Sequence, residues 1–128
     1  MCGIAGILSG HGTPVSEWTL YAMTDSISHR GPDDAGHFID SRIALGHRRL
    51  SIIDLSAAAH QPMQTPDGRY VLSYNGEIYN YRALRRELEQ LGWKFRSVSD
   101  TEVVLYALVE WGTDALLKFD GMFALALW

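Results

Sequence analysis

Apolar residues recur at the three- and four-residue spacing of an amphipathic helix in three segments of the chain. The first helix is predicted between Ser16 and Gly31, on a stripe formed by Leu20, Met23 and Ile27. The second ends at Gly92 and has an apolar face of four residues: Tyr81, Leu84, Leu88 and Leu91. Its opposite face is rich in arginine, which predicts a solvated surface.

The third helix carries its own start signal. Ser99 and Glu102 have the Ser-x-x-Glu spacing of a capping box, which satisfies backbone N–H groups in the first turn. An apolar stripe follows and ends at Gly112: Val104, Ala107, Leu108 and Trp111. The sequence therefore predicts a helix that starts near Ser99 and packs this stripe against a core.

Short apolar runs between turn residues predict strands at 2–8, 36–40, 42–53 and 70–74. The last of these is predicted to break at Asn75–Gly76, a dipeptide that is typical of turns and tolerates unusual backbone angles. Residues 54–69 contain Pro and Gly without periodicity, so we interpret them as a long ordered loop of the kind that is often functional. Strands mixed with helices indicate a mixed α and β fold.

Residues 121–128 form a final apolar run with the pattern of a buried strand. No turn residue or polar tail follows it. Because a strand that stopped there would leave an aggregation-prone edge, we expect the sequence to be a domain that is incomplete at its C-terminus, within a longer polypeptide.

Composition and charge narrow the function. The chain is 47% hydrophobic and 20% charged, as is ordinary for a globular domain, and its net charge of −4 disfavours nucleic-acid binding. Its longest apolar runs, 103–109 and 122–128, are far shorter than the roughly 18 residues of a membrane span. No basic segment precedes an apolar run at the N-terminus, so no secretory signal is indicated. We expect a cytoplasmic protein without a membrane or nucleic-acid partner.

Metal and disulfide sites are not indicated. A single cysteine cannot form an internal disulfide, and no Cys-x-x-Cys or His-Glu-x-x-His spacing is present. The five histidines show no ligand spacing. We expect no metal site, and we expect the histidines to be surface residues or satisfied structural ones.

Cys2 is the first candidate for chemistry. Removal of Met1 would leave a thiol and a free α-amine on the same residue. The amine has a reference pKa of ~7.7–8.0 and the thiol one of ~8.5, so the amine can accept the thiol proton near neutral pH. The alternative is a buried cysteine without a catalytic role, and position alone favours that alternative.

Three further polar features could complete such a site. The amide of Asn75 and the backbone N–H of Gly76 are candidate oxyanion donors, although the dipeptide is also a common turn. One of the adjacent Arg48 and Arg49 must face inward on a strand, where it needs a carboxylate from the protein or from a ligand. Asp100 either interacts with the dipole of the third helix, worth about 0.3–1 kcal/mol, or holds an α-ammonium group.

Six motifs in one order resemble the N-terminal glutaminase domain of glutamine-hydrolysing asparagine synthetases, which are class II glutamine amidotransferases. The motifs are MCGIAG at 1–6, RGPDD at 30–34, GHRRLSIID at 46–54, QPM at 61–63, YNGEIYN at 74–80 and SDTE at 99–102. FDGMFA at 119–124 is also similar, so the resemblance covers essentially the whole chain. It implies an α+β fold of the N-terminal-nucleophile hydrolase type: an αββα sandwich of two mainly antiparallel sheets between helix layers.

The resemblance also implies roles for particular residues. Cys2 would attack the side-chain amide of L-glutamine, with its own α-amine as proton shuttle. Ammonia would leave first, and water would then hydrolyse the resulting thioester to release L-glutamate. Asn75 and Gly76 would stabilise the oxyanion. The residues implied in substrate binding are Arg49 for the α-carboxylate and Glu77 and Asp100 for the α-ammonium.

The resemblance further implies a synthetase domain that these residues do not contain, since no ATP-pyrophosphatase motif is present. We expect no cofactor in this segment, whereas ATP and Mg2+ are expected in the missing domain, which would use the ammonia to make L-asparagine from L-aspartate. A homodimer is compatible with the sequence, which does not determine the oligomeric state. Ala59 stands where relatives often carry Gly, a departure that touches no chemistry.

Other interpretations of the function stay open. The chain could be the glutaminase domain of glucosamine-phosphate synthase or of a phosphoribosyl-pyrophosphate amidotransferase, although the 30–34 and 50–54 motifs favour asparagine synthetase. It could also serve an asparagine-synthetase-like enzyme with another acceptor, or be a non-catalytic module that binds glutamine.

Overall fold

The computed structural model describes residues 2–10, 13–51 and 56–128. In chain order the described strands and α-helices are β1 (Gly3–Leu8), α1 (Glu17–Ser26), β2 (Asp34–Ile39), β3 (Ile43–Arg49), β4 (Met63–Gln64), β5 (Val71–Ile78), α2 (Tyr81–Gln90), α3 (Asp100–Trp111), α4 (Ala115–Lys118) and β6 (Gly121–Leu127). Short 3-10 turns occupy Ser28–Arg30, Ala57–Ala59 and Gly112–Asp114. All three predicted helices are present.

Two antiparallel three-stranded sheets form the centre of the fold, in the orders β1-β3-β2 and β4-β5-β6. Helix α1 covers the outer face of the first sheet, where the absence of a side chain at Gly46 lets Thr24 lie directly against β3. Helices α2 and α3 cover the second sheet. The αββα sandwich that the resemblance implies is confirmed.

Side-chain alternation along β3 and β5 decides what lies between the two sheets. Ile43, Leu45 and Val71 form a small apolar cluster there. Polar contacts continue along the same interface: Ser73 Oγ donates to Gly46 O at 3.3 Å, and His47 Nε2 lies 3.0 Å from Tyr74 O. The two sheets are therefore joined by apolar packing at one end and by hydrogen bonds toward the other.

The larger core lies between the second sheet and its helices. Leu72, Tyr74 and Ile78 project from β5 toward α2 and α3. Every residue of α3 from Asp100 to Leu108 is buried, so the single stripe predicted for this helix is too narrow. The reason is that α3 also packs against α2 and against the aromatic segment that follows α2. In this segment, Trp93 stacks on Tyr106 of α3 with ring centroids 4.5 Å apart.

Strand β5 corrects the predicted break at Asn75–Gly76. The strand continues to Ile78, and Asn75 and Gly76 pair with Ala124 and Phe123 of β6. Gly76 does not have a positive φ. The partner strand lies 47 residues away from this turn-like dipeptide, and its pairing overrides the local preference.

The other strand boundaries shift as well. The strand predicted at 36–40 begins at Asp34, and the one predicted at 42–53 ends at Arg49, with 52–53 outside the described residues. The predicted loop 54–69, of which 54–55 are likewise outside, contains the 3-10 turn Ala57–Ala59, the strand β4 and a cis Gln61–Pro62 bond. The final strand is present, but β6 is an edge strand rather than a buried one, and Met122 is 66% exposed.

The predicted capping box at the start of α3 is only half present. Ser99 caps α3 by accepting from Thr101 N at 3.1 Å, but Glu102 does not close a capping box on Ser99. Its carboxylate instead accepts from the backbone N–H groups of Arg96 and Ser97, at 2.8–3.1 Å. A buried carboxylate thus holds the preceding loop rather than the helix start.

The arginine-rich face of α2 is not only solvated. Arg85 donates to Ser97 O at 2.8 Å, and its guanidinium lies 4.3 Å from the centre of the Phe95 ring. Leu91, which was predicted to lie on the apolar face, is 56% exposed. No α-helix in the described part of the chain has the length and apolar character needed to cross a bilayer.

Candidate active site

A cavity of about 230 Å³ opens where β1, β3, β5 and the start of α3 converge. All six predicted site residues line it: Cys2, Arg49, Asn75, Gly76, Glu77 and Asp100. Its volume is below the roughly 300–1,000 Å³ typical of pockets for drug-sized ligands, which suits a ligand as small as an amino acid. Residues from four separate segments are thus brought to one place.

Cys2 lies directly before β1 and is held against the end of β3. Its Sγ accepts from the backbone N–H of Leu50 at 3.4 Å and lies 3.7 Å from Leu50 O. The Cys2 carbonyl accepts a hydrogen bond of 3.0 Å from Arg30 Nε. The thiol is partly exposed, so it combines a fixed position with access to the cavity.

The edge of β5 opposite β6 is unusual because side chains, rather than a strand, cover it. β4 pairs only with Val71 and Leu72. Beyond them, Tyr74 N–H donates to Gln61 Oε1 at 2.7 Å and Ile78 N–H donates to Asp100 Oδ2 at 3.1 Å. These two side chains accept from the backbone N–H groups on either side of Gly76 along this edge.

The N–H of Gly76 faces this same edge. Val71 and Trp128 exchange two backbone hydrogen bonds of 2.9 Å, and hydrogen-bonded pairs alternate along an antiparallel ladder. Gly76 therefore occupies a non-hydrogen-bonded position opposite Phe123, with its N–H directed away from β6. No described residue accepts from this N–H, so it is available to a ligand in the cavity.

Glycine is needed at position 76 because of a close approach, not because of an unusual φ. A Cβ added there would lie 2.6 Å from Phe123 Cα and would also overlap Met122 O. The side chain of the preceding Asn75 alternates to the other face of β5 and lines the cavity. Its amide and the Gly76 N–H are two donors from adjacent residues at one wall.

Arg48 and Arg49 point in opposite directions, as strand alternation predicts. Arg48 faces α1, donating to Thr24 O at 3.2 Å and pairing with Asp25. Arg49 is only 7% exposed and lines the cavity, where Nη1 donates to Ser56 O at 3.1 Å. Arg49 places a buried positive charge at the cavity wall.

Asp100 supplies a buried negative charge from the first residue of α3. Its Oδ2 accepts from Tyr74 Oη at 2.9 Å and from Ile78 N–H at 3.1 Å. Burial raises the pKa of this carboxyl, while those two hydrogen bonds act in the opposite direction. None of the ion pairs among the described residues involves Asp100, so a cationic ligand group would offset the cost of its burial.

Glu77 is exposed, and it adds a second carboxylate to the cavity lining. The cavity therefore combines one buried cation, Arg49, with two carboxylates. This distribution of charge complements a small zwitterion such as an amino acid.

Sequence reasoning assigned no role to Gln61 and Thr101, which also line the cavity. Gln61 is 5% exposed, and besides holding Tyr74 N–H it donates to Thr101 Oγ1 at 3.4 Å. Gln61 thereby links the loop, β5 and α3. In the sequence, Gln61 could be noticed only as a polar residue within the 61–63 motif. The spacing of residues did not indicate which groups it would contact.

His47 contradicts the expectation that the histidines lie at the surface or have satisfied ring nitrogens. It is fully buried, and its Nδ1 has no hydrogen-bond partner in the described part of the structure. Burial lowers the pKa of His47 to about 4, and the positive charge of Arg49 acts in the same direction. Within the described ranges, no group of three or more His, Cys, Asp or Glu residues is arranged to hold a metal ion.

Comparison with known proteins gives a family match over the whole chain, since the model of the glutamine amidotransferase domain covers residues 1–128. Asparagine synthetase [glutamine-hydrolyzing] 1 of Bacillus subtilis is 43% identical over 131 residues, covering all of this chain and 21% of that protein. A putative asparagine synthetase [glutamine-hydrolyzing] of Mycobacterium bovis is 48% identical over 146 residues, covering all of this chain and 22% of that protein. The chain thus spans about a fifth of the length of these curated relatives.

A solved structure supports the fold independently. Glutamine phosphoribosylpyrophosphate amidotransferase from B. subtilis, complexed with ADP and GMP, superposes with a TM-score of 0.58 at 20% identity, covering 98% of this chain and 29% of that one. Identity at this level supports the architecture alone. The family match over all 128 residues, on a fold of this architecture, establishes that the chain belongs to the glutamine amidotransferase domain family.

Proposed function

We propose that this domain hydrolyses L-glutamine to L-glutamate and ammonia, with Cys2 as the nucleophile. The observation that carries the proposal is that one small cavity is lined by a thiol, an available backbone N–H, a buried positive charge and a buried negative charge. A non-catalytic glutamine-binding module would need the charged groups but would not need the thiol or the N–H.

The charged groups would orient the substrate. The guanidinium of Arg49 suits the α-carboxylate, since it can donate two parallel hydrogen bonds to one carboxylate. Asp100 and Glu77, which line the same cavity, suit the α-ammonium. With both charged groups on the α-carbon held, the side chain of glutamine would extend toward Cys2.

The thiol would then attack the side-chain amide carbon. Removal of Met1 would free the α-amine of Cys2, which accepts the thiol proton as the S–C bond forms. The carbonyl oxygen becomes an oxyanion, for which Gly76 N–H and the Asn75 amide are the candidate donors. Donors of this kind act most strongly at a site sheltered from water.

Collapse of the tetrahedral intermediate would break the C–N bond. The protonated α-amine gives its proton to the departing nitrogen, which leaves as ammonia and gives a thioester on Cys2. Water, deprotonated by the same amine, attacks the thioester, and glutamate leaves as the S–C bond breaks. No metal or redox cofactor is needed for this sequence of steps.

The ammonia would serve a synthetase domain elsewhere in the same polypeptide. The names of the relatives and the fifth of their length that this chain spans support an asparagine synthetase with a further domain. The missing domain would use ATP and Mg2+ to amidate L-aspartate. An enzyme of the same kind with another acceptor is the alternative, because the acceptor site lies outside these residues.

The test is the intact mass of the full-length protein before and after exposure to a glutamine-like diazoketone. We expect a starting mass without Met1 and a single adduct on Cys2, which excess glutamine prevents and the Cys2→Ala variant lacks. Acetylation of the α-amine should abolish ammonia release while leaving the fold intact. Retained Met1 in active protein, or labelling that glutamine does not affect, would overturn the proposed nucleophile.

A further inference from the structure

A buried histidine connects the two sheets at the residue that precedes the candidate oxyanion donors. His47 lies on β3 and reaches across the interface to Tyr74 O, 3.0 Å from its Nε2. His47 is fully buried, and Tyr74 is 2% exposed. The imidazole of His47 takes no part in the chemical steps proposed for glutamine hydrolysis.

The partner determines which ring nitrogen carries the proton. A carbonyl oxygen can only accept, so the hydrogen bond requires the proton on Nε2. Nδ1 is then an unprotonated nitrogen without a partner in the described structure. A second proton on Nδ1 would be buried without an acceptor, which agrees with a pKa of about 4. The ring is therefore neutral, with a fixed tautomer, across the pH range of an ordinary assay.

Tyr74 has both of its backbone groups held by side chains. Gln61 Oε1 accepts from its N–H at 2.7 Å, and His47 Nε2 donates to its carbonyl. This carbonyl belongs to the peptide unit that leads into Asn75, and the next peptide unit carries the Gly76 N–H. Since β4 begins at Met63, opposite Leu72, no described strand covers the edge of β5 at Tyr74. The N–H of the 74–75 peptide belongs to Asn75 and faces β6 opposite Ala124, so β6 holds one side of this peptide and the His47 hydrogen bond holds the other.

We propose that His47 is a positioning residue: its hydrogen bond to Tyr74 O holds the peptide that aims the Asn75 amide and the Gly76 N–H at the reacting carbonyl. The inference rests on the proposed glutaminase function. Without the bond, the peptide is held from the β6 side alone and can tilt, and donors displaced by even a fraction of an ångström stabilise the oxyanion less. Substrate binding would change little, because Arg49 and Asp100 are held by other contacts.

Three substitutions separate this role from a general packing role. His47→Gln keeps an N–H donor at about the same reach as Nε2. His47→Asn has the same amide group, one methylene shorter, and cannot reach Tyr74 O. His47→Met removes the donor with an adaptable apolar side chain, which provides a second donor-free variant if His47→Asn destabilises the fold.

Ser73→Ala is the matched control. Ser73 Oγ donates to Gly46 O at 3.3 Å, so it also bridges β5 and β3, one residue before Tyr74. Removing this bond weakens the same interface without releasing the Tyr74 carbonyl. We expect kcat for glutamine hydrolysis to remain within about twofold of wild type.

The readouts are kcat, KM and the affinity for two ligands in the full-length protein. Glutamate γ-semialdehyde forms a tetrahedral adduct: the thiol adds across its carbonyl, an S–C bond forms, and the thiol proton moves to the α-amine, leaving an oxyanion. Glutamate forms no such adduct. For His47→Asn and His47→Met we expect a loss of about tenfold to a hundredfold in both kcat and aldehyde affinity, with glutamate affinity within about threefold. His47→Gln should retain most of both.

The outcomes are distinct. Folded His47→Asn and His47→Met variants with wild-type kcat, or with equal losses of aldehyde and glutamate affinity, would overturn the positioning role. A folded His47→Gln variant that is as impaired as His47→Asn would overturn it too. If instead the wild-type protein neither hydrolyses glutamine nor binds the aldehyde through Cys2, the proposed function itself fails. Thermal melting of each variant identifies losses that come from unfolding.

Discussion

The carboxylate of Asp100 accepts a hydrogen bond of 3.1 Å from the backbone N–H of Ile78, which ties the first turn of α3 to the open edge of β5. The same oxygen accepts from Tyr74 Oη at 2.9 Å. Both donors are neutral, so they hold the carboxylate in position without cancelling its charge. An anion that is fixed in this way can receive a substrate ammonium without first having to reorient.

Tyr74→Phe should change the pH dependence of substrate use. The Tyr74 hydroxyl stabilises ionised Asp100, so its loss raises the pKa of Asp100 beyond the increase already caused by burial. The ionised form binds the ammonium, and kcat/KM should therefore fall as pH decreases through that pKa. Protonation of the Cys2 α-amine lowers kcat/KM in both proteins, whereas the step caused by Asp100 is expected at higher pH in the variant.

Tyr70→Phe is a suitable control because Tyr70 lies outside the cavity lining. Steady-state kinetics from pH 5 to 8 would measure both variants. If the profiles of wild type and Tyr74→Phe coincided throughout this range, including below the step of the α-amine, Asp100 would have no role in binding the ammonium.

Arg49→Lys should weaken glutamine binding much more than it slows attack. Lysine keeps the charge but cannot donate two parallel hydrogen bonds to a carboxylate. A lost charge-assisted hydrogen bond costs about 1.5–3 kcal/mol, which predicts an increase in KM of about tenfold to a hundredfold. We expect kcat to change by no more than about threefold.

Arg48→Lys provides a control from the adjacent residue. Arg48 faces α1 and contacts Thr24 and Asp25 rather than the cavity. Its substitution should leave KM for glutamine unchanged in the same assay. Equal KM values for wild type and Arg49→Lys would remove Arg49 from the carboxylate role.

The three helices and a mixed α and β fold were predictable from local signals, whereas the α+β sandwich was implied by the resemblance. Caps and apolar spacing lie within single segments, as at Ser99 and Leu84. The continuation of β5 through Asn75–Gly76 was not predictable from spacing, because it depends on pairing with distant β6. The role of Gln61 was missed for the same reason: its partners Tyr74 and Thr101 are 13 and 40 residues away.

Residue type and position made Cys2, Asn75, Gly76 and Asp100 candidates, but only the resemblance favoured these roles over the structural alternatives and added Glu77. Strand alternation alone identified one inward arginine, and the structure shows that it is Arg49. Nothing in the spacing indicated that the edge of β5 would be covered by side chains on either side of Gly76. That arrangement depends on tertiary contacts from the loop and from α3.

Gly76→Ala should damage both the fold and catalysis. The new Cβ would lie 2.6 Å from Phe123 Cα, so β5 and β6 must separate locally. Overpacking of this kind costs about 1–3 kcal/mol, and the displaced N–H should reduce kcat by about a hundredfold.

Gly10→Ala is the matched substitution, since a Cβ at Gly10 meets nothing within 4 Å. Thermal melting and single-turnover kinetics would compare the two variants. If Gly76→Ala retained wild-type kcat, the Gly76 N–H would not be an oxyanion donor.

His47 should make the stability of the domain depend on pH between about 6.5 and 4. In the unfolded chain the imidazole gains a proton as pH falls below ~6.5, whereas in the folded protein its pKa is about 4. The unfolded state therefore binds more protons in this window, and the free energy of unfolding decreases as pH falls. A shift of this size corresponds to about 3 kcal/mol between pH 7 and pH 4. Arg49, Asp34 and His60 are the charged or titratable groups that act on the ring.

His47→Gln removes the titrating ring but keeps a donor for Tyr74 O, so the difference between wild type and variant isolates this effect. The raised pKa of Asp100 acts with the opposite sign and is common to both proteins, so it cancels in the difference. Denaturant unfolding at pH 7, 5.5 and 4.5 should show wild type losing stability relative to the variant as pH falls. Parallel losses in the two proteins would mean that the imidazole is not held neutral at the interface between the sheets.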